Sequence, residues 1–187
     1  VSTGNADDSF DWTHGWRGNG QFWVVHQDNE SGDRGIEADN LEGDHGASPF
    51  SNPTLCNLTF VGVDDGDAGN TGMRLRRGTK GKIYNAIVVN FPSNGIRVSD
   101  TQTTDNMNGG ELIFANSVVF NNGTNWVDCT VFEMDATNST TDPNLTEYVG
   151  SVTTNAFDPT TLGSWFSAAN YIGAVEASNN WTAGWTR

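Results

Sequence analysis

A four-residue pattern recurs along the first half of the chain, and it restricts the fold more than any other feature. Ser9-Phe10-Asp11-Trp12, Gly35-Ile36-Glu37-Ala38, Gly72-Met73-Arg74-Leu75 and Gly95-Ile96-Arg97-Val98 each read small, apolar, charged, apolar. That alternation describes a short strand with one face buried. A second pattern follows: Leu55-Cys56-Asn57-Leu58-Thr59-Phe60, Ile83-Tyr84-Asn85-Ala86-Ile87-Val88 and Phe114-Ala115-Asn116-Ser117-Val118-Val119, with Gln21-Phe22-Trp23-Val24 in the same place of the first unit. Each of the three full copies sets an Asn between two apolar strands. Successive first-pattern positions are 26, 37 and 23 residues apart. The shortest step is about one solenoid coil, and the longer ones carry inserted loops. Helix-period segments are nearly absent, so helices wrapping a sheet are not expected. The predicted fold is all-β: a right-handed parallel β-helix with irregular long loops. It forms a single domain over residues 1–187, with stacked coils in 1–120 and with loops, a last coil and a C-terminal cap in 121–187. Solenoids need such caps to hide the last coil.

Stacking coils in register makes columns. Asp11, Glu37, Arg74 and Arg97 are expected to stack outward on adjacent coils ~4.8 Å apart, with Asp39 and Arg76 in the neighbouring column. Glu37–Arg74 and Asp39–Arg76 would then pair as opposite charges. Asn57, Asn85 and Asn116 are expected to form an internal ladder of amides inside a turn.

The composition fits a narrow core with long polar turns. Hydrophobic residues are 35% of the 187, Gly counts 22, and 9 basic against 23 acidic residues give a net charge of −14. Such a surface repels nucleic acid and anionic membranes at long range, and neither is an expected partner. No apolar run approaches the ~18 residues of a membrane-spanning helix. Cys56 and Cys129 leave two readings open, a disulfide in an oxidising compartment or two separately buried thiols. No signal peptide is recognised, and Val1 reads as lying inside a coil.

Four sets of residues carry candidate chemistry. Asp64-Asp65-Gly66-Asp67-Ala68-Gly69-Asn70 gathers oxygens on a bendable backbone, so Asp64, Asp65, Asp67 and Asn70 form either a calcium loop or a solvated turn. Asp7, Asp8 and Asp11 form a second, looser acidic group. Asp11 and Glu37 on adjacent coils could form a glycosidase carboxylate pair, for which a retaining enzyme wants ~5–5.5 Å. The same column, with Arg74 and Arg97, is the only face that could serve a lyase, and a structural salt-bridge ladder is the plainer reading. Trp12-Thr13-His14-Gly15-Trp16 and Trp181-Thr182-Ala183-Gly184-Trp185 share one frame; their rings either stack on sugars or pack on the core. His14, His26 and His45 lack metal-ligand spacing, and no nucleophile elbow, phosphate loop or dinucleotide fingerprint occurs.

The run Asp7 to Trp16, then Gly35-Ile36-Glu37-Ala38-Asp39-Asn40, then Asn52-Pro53-Thr54, with Tyr171-Ile172-Gly173-Ala174 and Asn180 to Trp185 at the end, resembles the C-terminal part of a family of secreted bacterial right-handed β-helix proteins. Members are lipoproteins or surface proteins of unestablished activity, usually longer, with further coils upstream. The resemblance covers nearly the whole chain. It implies the fold and an extracellular or cell-surface setting, and it transfers no catalytic residue. The function expected is a structural or binding β-helix of the cell surface or matrix, Ca2+-stabilised, glycan-binding or self-assembling into filaments. The alternative is a polysaccharide lyase or glycoside hydrolase.

Overall fold

The computed structural model describes residues 1–28, 32–63 and 70–186. Two parallel sheets run the length of the molecule. The first contains β1 (Ser2–Thr3), β3 (Asn19–His26), β5 (Thr54–Val61), β7 (Gly81–Val89), β9 (Leu112–Ala115) and β10 (Val118–Phe120). The second contains β2 (Phe10–Trp12), β4 (Arg34–Ala38), β6 (Thr71–Leu75), β8 (Asn94–Val98) and β11 (Thr124–Val127), paired in that order. Strands of the two sheets alternate along the chain, so each coil contributes to both and pairs with the coil before it. This is the stacked parallel β-helix that the repeats predict. Cys56 and Cys129 are both buried and both free thiols, and burial pushes each up to about 12.

The core lies between the sheets. From the second sheet come Ile36, Met73 and Ile96, with Ala38, Leu75 and Val98 one level along; from the first come Leu58, Phe60, Ala86 and Val88. Phe10, Trp12, Trp16 and Trp23 pack at the first coil, with Phe10 stacked on Trp23 at 4.2 Å. At the other end the short helix α2 (Thr130–Glu133) follows β11 and turns Phe132 against Phe114. A longer helix, α1 (Thr101–Asn108), is inserted after β8, its N-terminus capped by the Asp100 carboxylate.

The asparagines are in register as predicted: Leu55, Cys56 and Leu58 pair with Ile83, Tyr84 and Ala86, and Ile83 and Tyr84 with Phe114 and Ala115. They do not form an internal ladder. Each takes a left-handed backbone conformation, with φ of 56° at Asn57, 55° at Asn85 and 53° at Asn116, and turns a corner in its strand. The corner splits the long strands into two arms and gives the coil a third side. In the last copy it breaks the strand outright into β9 and β10, both paired to β7. The amides bond to the C-terminal segment instead. Asn57 Nδ2 donates to the Tyr171 carbonyl at 2.6 Å, Asn85 exchanges two 2.8 Å bonds with the Phe157 backbone, and Asn116 Nδ2 donates to the Asn155 carbonyl at 2.8 Å. Amide-to-amide pairing would require the side chains to face one another along the stack, and at this corner they face the crossing segment.

The coil pattern continues past residue 120, since β11 pairs with β8 and Ser139 bridges to Val118. The rest of the chain then crosses the side of the first sheet. The antiparallel pair β12 (Gly150–Val152) and β13 (Ile172–Val175), with a 3₁₀ turn at Pro159–Leu162 between them, covers the outer columns Val24–Thr59–Ile87–Val118 and Val61–Val89. Ala174 N–H donates to Thr59 Oγ1 at 2.8 Å. Gly173 fits there because a Cβ at that position would stand 2.8 Å from Ile87 Cδ1.

Candidate functional site

The outer face of the second sheet carries the charged column. Asp11, Glu37, Arg74 and Arg97 stand in register on β2, β4, β6 and β8, as the repeat requires. The ion pairs within it differ from expectation in one place. Asp39 and Arg76 do pair, Nε to Oδ1 at 2.8 Å. Glu37 does not pair with Arg74. Its oxygens are taken by Arg34, three residues back on the same strand at 2.5 Å, and by Arg76 Nη2. Arg34 also meets Asp33 at 2.6 Å and Asp8 at 3.4 Å. Arg77 joins Asp39 to Glu42, at 2.7 Å each. The acidic end of the face is thereby partly neutralised by Arg34, Arg76 and Arg77.

This leaves two guanidinia over. Among the described residues no carboxylate pairs with Arg74 or Arg97, and the Nε of each is buried without a hydrogen-bond partner. Both side chains are partly exposed beyond that point. Partial burial, then the positive charges of Arg34, Arg97 and Arg76, pull Arg74 below the usual arginine value, with Glu37 opposing. Like charges directly opposite on neighbouring strands destabilise a sheet. The pair is a local positive spot on a strongly negative molecule, and an anion placed on its exposed ends would relieve the repulsion.

The Asp11–Glu37 pair fits hydrolysis poorly. A retaining glycosidase needs one carboxyl free as nucleophile and the other free as acid. Both oxygens of Glu37 are clamped by guanidinia. Asp11 is raised above the ordinary carboxylate range by partial burial and then by the charge of Asp39, with Arg76 opposing.

The proposed calcium loop at Asp64, Asp65 and Asp67 lies outside the described residues. Asn70, its last member, is described: 3% exposed, with Oδ1 unpartnered. Each tryptophan frame folds into a turn that sets its two rings against each other, at 5.7 Å for Trp12–Trp16 and 5.8 Å for Trp181–Trp185. Trp12 is buried, while Trp185 is 61% exposed. His26 packs on the Tyr148 ring, and His45 Nδ1 lies 3.4 Å from Asp100. Sequence reasoning missed Arg34 and Asp33. The signal was the dense mixed-charge run Asp33 to Asp39, where a residue outside the repeated four reaches into the column.

Parallel coils stacked about an apolar core, with one outer sheet bearing a ladder of charges, define a parallel β-helix. The model of the family described as a pectate-lyase-like β-helix domain matches residues 1–186, and the chain belongs to that family. No curated protein and no solved structure matches it.

Proposed function

We propose that this protein binds an acidic polysaccharide across the outer face of the second sheet, with Arg74 and Arg97 receiving sugar carboxylates. The observation that carries the reading is the unpaired arginine couple on adjacent coils. Guanidinium forks match carboxylates in geometry as well as charge. Parallel strands give a straight, repeating surface along which a polymer can lie. Membership of a pectate-lyase-like family supports a polysaccharide ligand. The setting such a polymer implies is extracellular or cell-surface.

Binding to polygalacturonate and to a neutral glucan, measured by calorimetry, tests this. The wild type should bind the uronate polymer and not the neutral one. A charge-assisted hydrogen bond contributes roughly 1.5–3 kcal/mol, so Arg74→Ala and Arg97→Ala should each weaken binding about tenfold or more. Equal affinity for the two polymers, or full affinity in the double variant, overturns the proposal. Assaying the same mixtures for unsaturated or reducing-end products separates binding from cleavage.

A further inference from the structure

Three carboxylates meet at the start of the charged sheet, away from the arginine couple. Asp7 and Asp8 precede β2 and Asp33 precedes β4, and one ligand oxygen from each lies within 4.8 Å of the others. The backbone holds the two segments together, with Asp33 N–H donating to the Asp7 carbonyl at 3.3 Å and Ser9 N–H to the Arg34 carbonyl at 2.9 Å. Arg34 is the cation at the cluster, and it is shared with Glu37. One shared guanidinium against three carboxylates leaves an excess of about two negative charges. Burial, ahead of the neighbouring acids, pushes Asp8 up to about 6 in spite of Arg34.

Acidic residues alone do not make a metal site, but here two buried amides beside them lack partners. Gln27 is 5% exposed, and neither its Oε1 nor its Nε2 is hydrogen-bonded. Its amide lies near Gly32, where an added Cβ would stand 3.3 Å from Gln27 Nε2 and 3.3 Å from the Asn5 carbonyl oxygen. Asn5 leads into Asp7, and Gly32 into Asp33. Asn70 lies beside Asp33 on the next coil, where Thr71 N–H donates to the Asp33 carbonyl at 3.0 Å, and its Oδ1 is buried and unpartnered. A buried polar atom without a partner calls for an explanation, and an ion is one. Calcium takes six to eight oxygens at about 2.3–2.6 Å from carboxylates, amide oxygens, carbonyls and water, in flexible geometry.

We infer that Asp7, Asp8 and Asp33 bind one calcium ion, with the free amide oxygens of Gln27 and Asn70 adding to the ligand set. The ion would fasten the entry to β2 onto the entry to β4, so it would act on the first coil and not on the arginine couple. Calcium titration of the chelator-treated protein by calorimetry, with melting curves alongside, provides the test. Wild type should take up one ion per chain and melt at a higher temperature with it. Asp7→Asn and Asp33→Asn should each weaken calcium binding at least tenfold. Asp33→Asn also removes a partner of Arg34; Asp7 makes none of Arg34's ion pairs, so Asp7→Asn reads the metal alone. The triple variant Asp64→Asn, Asp65→Asn, Asp67→Asn should bind as the wild type does. No saturable uptake by the wild type, unchanged affinity in Asp7→Asn, or loss of binding in the triple variant would overturn the site.

Discussion

Asn57, Asn85 and Asn116 do two things at once: each adopts a positive φ that most side chains avoid, and each offers an amide to the crossing C-terminal segment. Asn tolerates the left-handed region better than any residue but Gly. The two contributions can be separated at Asn85, which is fully buried. Asn85→Gly keeps the backbone conformation and loses the two bonds to Phe157. Asn85→Leu loses the bonds and adds left-handed strain of roughly 1–2 kcal/mol. Each bond lost leaves a buried group unpaired, at roughly 1–3 kcal/mol. Urea denaturation should therefore rank wild type above Asn85→Gly above Asn85→Leu, with about 1 kcal/mol or more at each step. Equal stability of the two variants would remove the conformational argument. Asp8 offers a second test at this scale. Its carboxyl is raised from 3.8 to about 6, mainly by burial, so the native state holds its proton more tightly than the unfolded chain. The stability this gives is full below the unfolded value and is lost as pH rises through about 6. Asp8→Asn carries no charge at any pH. In chelator it should exceed the wild type by about 1 kcal/mol near pH 7.5, after discounting for solvent screening, and the gap should close near pH 4. A gap that widens on acidification would reverse the sign and refute the burial account.

The elements differ in how far the sequence announces them. The strands β2, β4, β6 and β8 were legible because small, apolar, charged and apolar residues recur in one order, and a parallel register follows once the units are aligned. The charged column was legible for the same reason. The partners within it were not, because a long guanidinium reaches three or four residues along a strand or across a coil, and Arg34 and Arg76 both reach Glu37. The sequence reads 121–187 as loops, a last coil and a cap, whereas its later part crosses the side of the first sheet. A clue to its real position was present: Leu58-Thr59-Phe60-Val61, Ala86-Ile87-Val88-Val89 and Val118-Val119-Phe120 are apolar at nearly every position. Strands of that kind are buried on both faces. Alternation in the second sheet means one wet face, and continuous apolar runs in the first mean that something covers it. The cover itself, residues 144–186, has little period of its own because side-chain amides and one short antiparallel strand pair hold it. The helix α1 was also invisible: Thr101-Gln102-Thr103-Thr104-Asp105-Asn106-Met107-Asn108 is polar and β-branched, and it depends on the Asp100 cap and on burial of Thr103, Asn106 and Met107.

For the whole molecule, net charge and the proposed ligand oppose each other. The chain carries −14, so a uronate polymer approaching from a distance is repelled. Contact at Arg74 and Arg97 is attractive, and the two terms respond differently to salt. Long-range repulsion between exposed charges is screened over a Debye length of about 10 Å at 0.1 M. The contact pairs are partly buried and are screened less at that ionic strength. Raising salt from about 0.01 to 0.1 M should therefore strengthen binding, because repulsion fades first. Toward about 1 M, where the Debye length is near 3 Å, the contact itself weakens and affinity should fall. The expected profile has a maximum, unlike the steady decline of a basic protein on a polyanion. In Arg97→Ala the low-salt repulsion stays and the contact is halved, so the maximum should shrink without moving far. Calorimetric affinities for polygalacturonate across that salt range check this, and an affinity that only falls with salt would place the ligand on a surface other than this arginine couple.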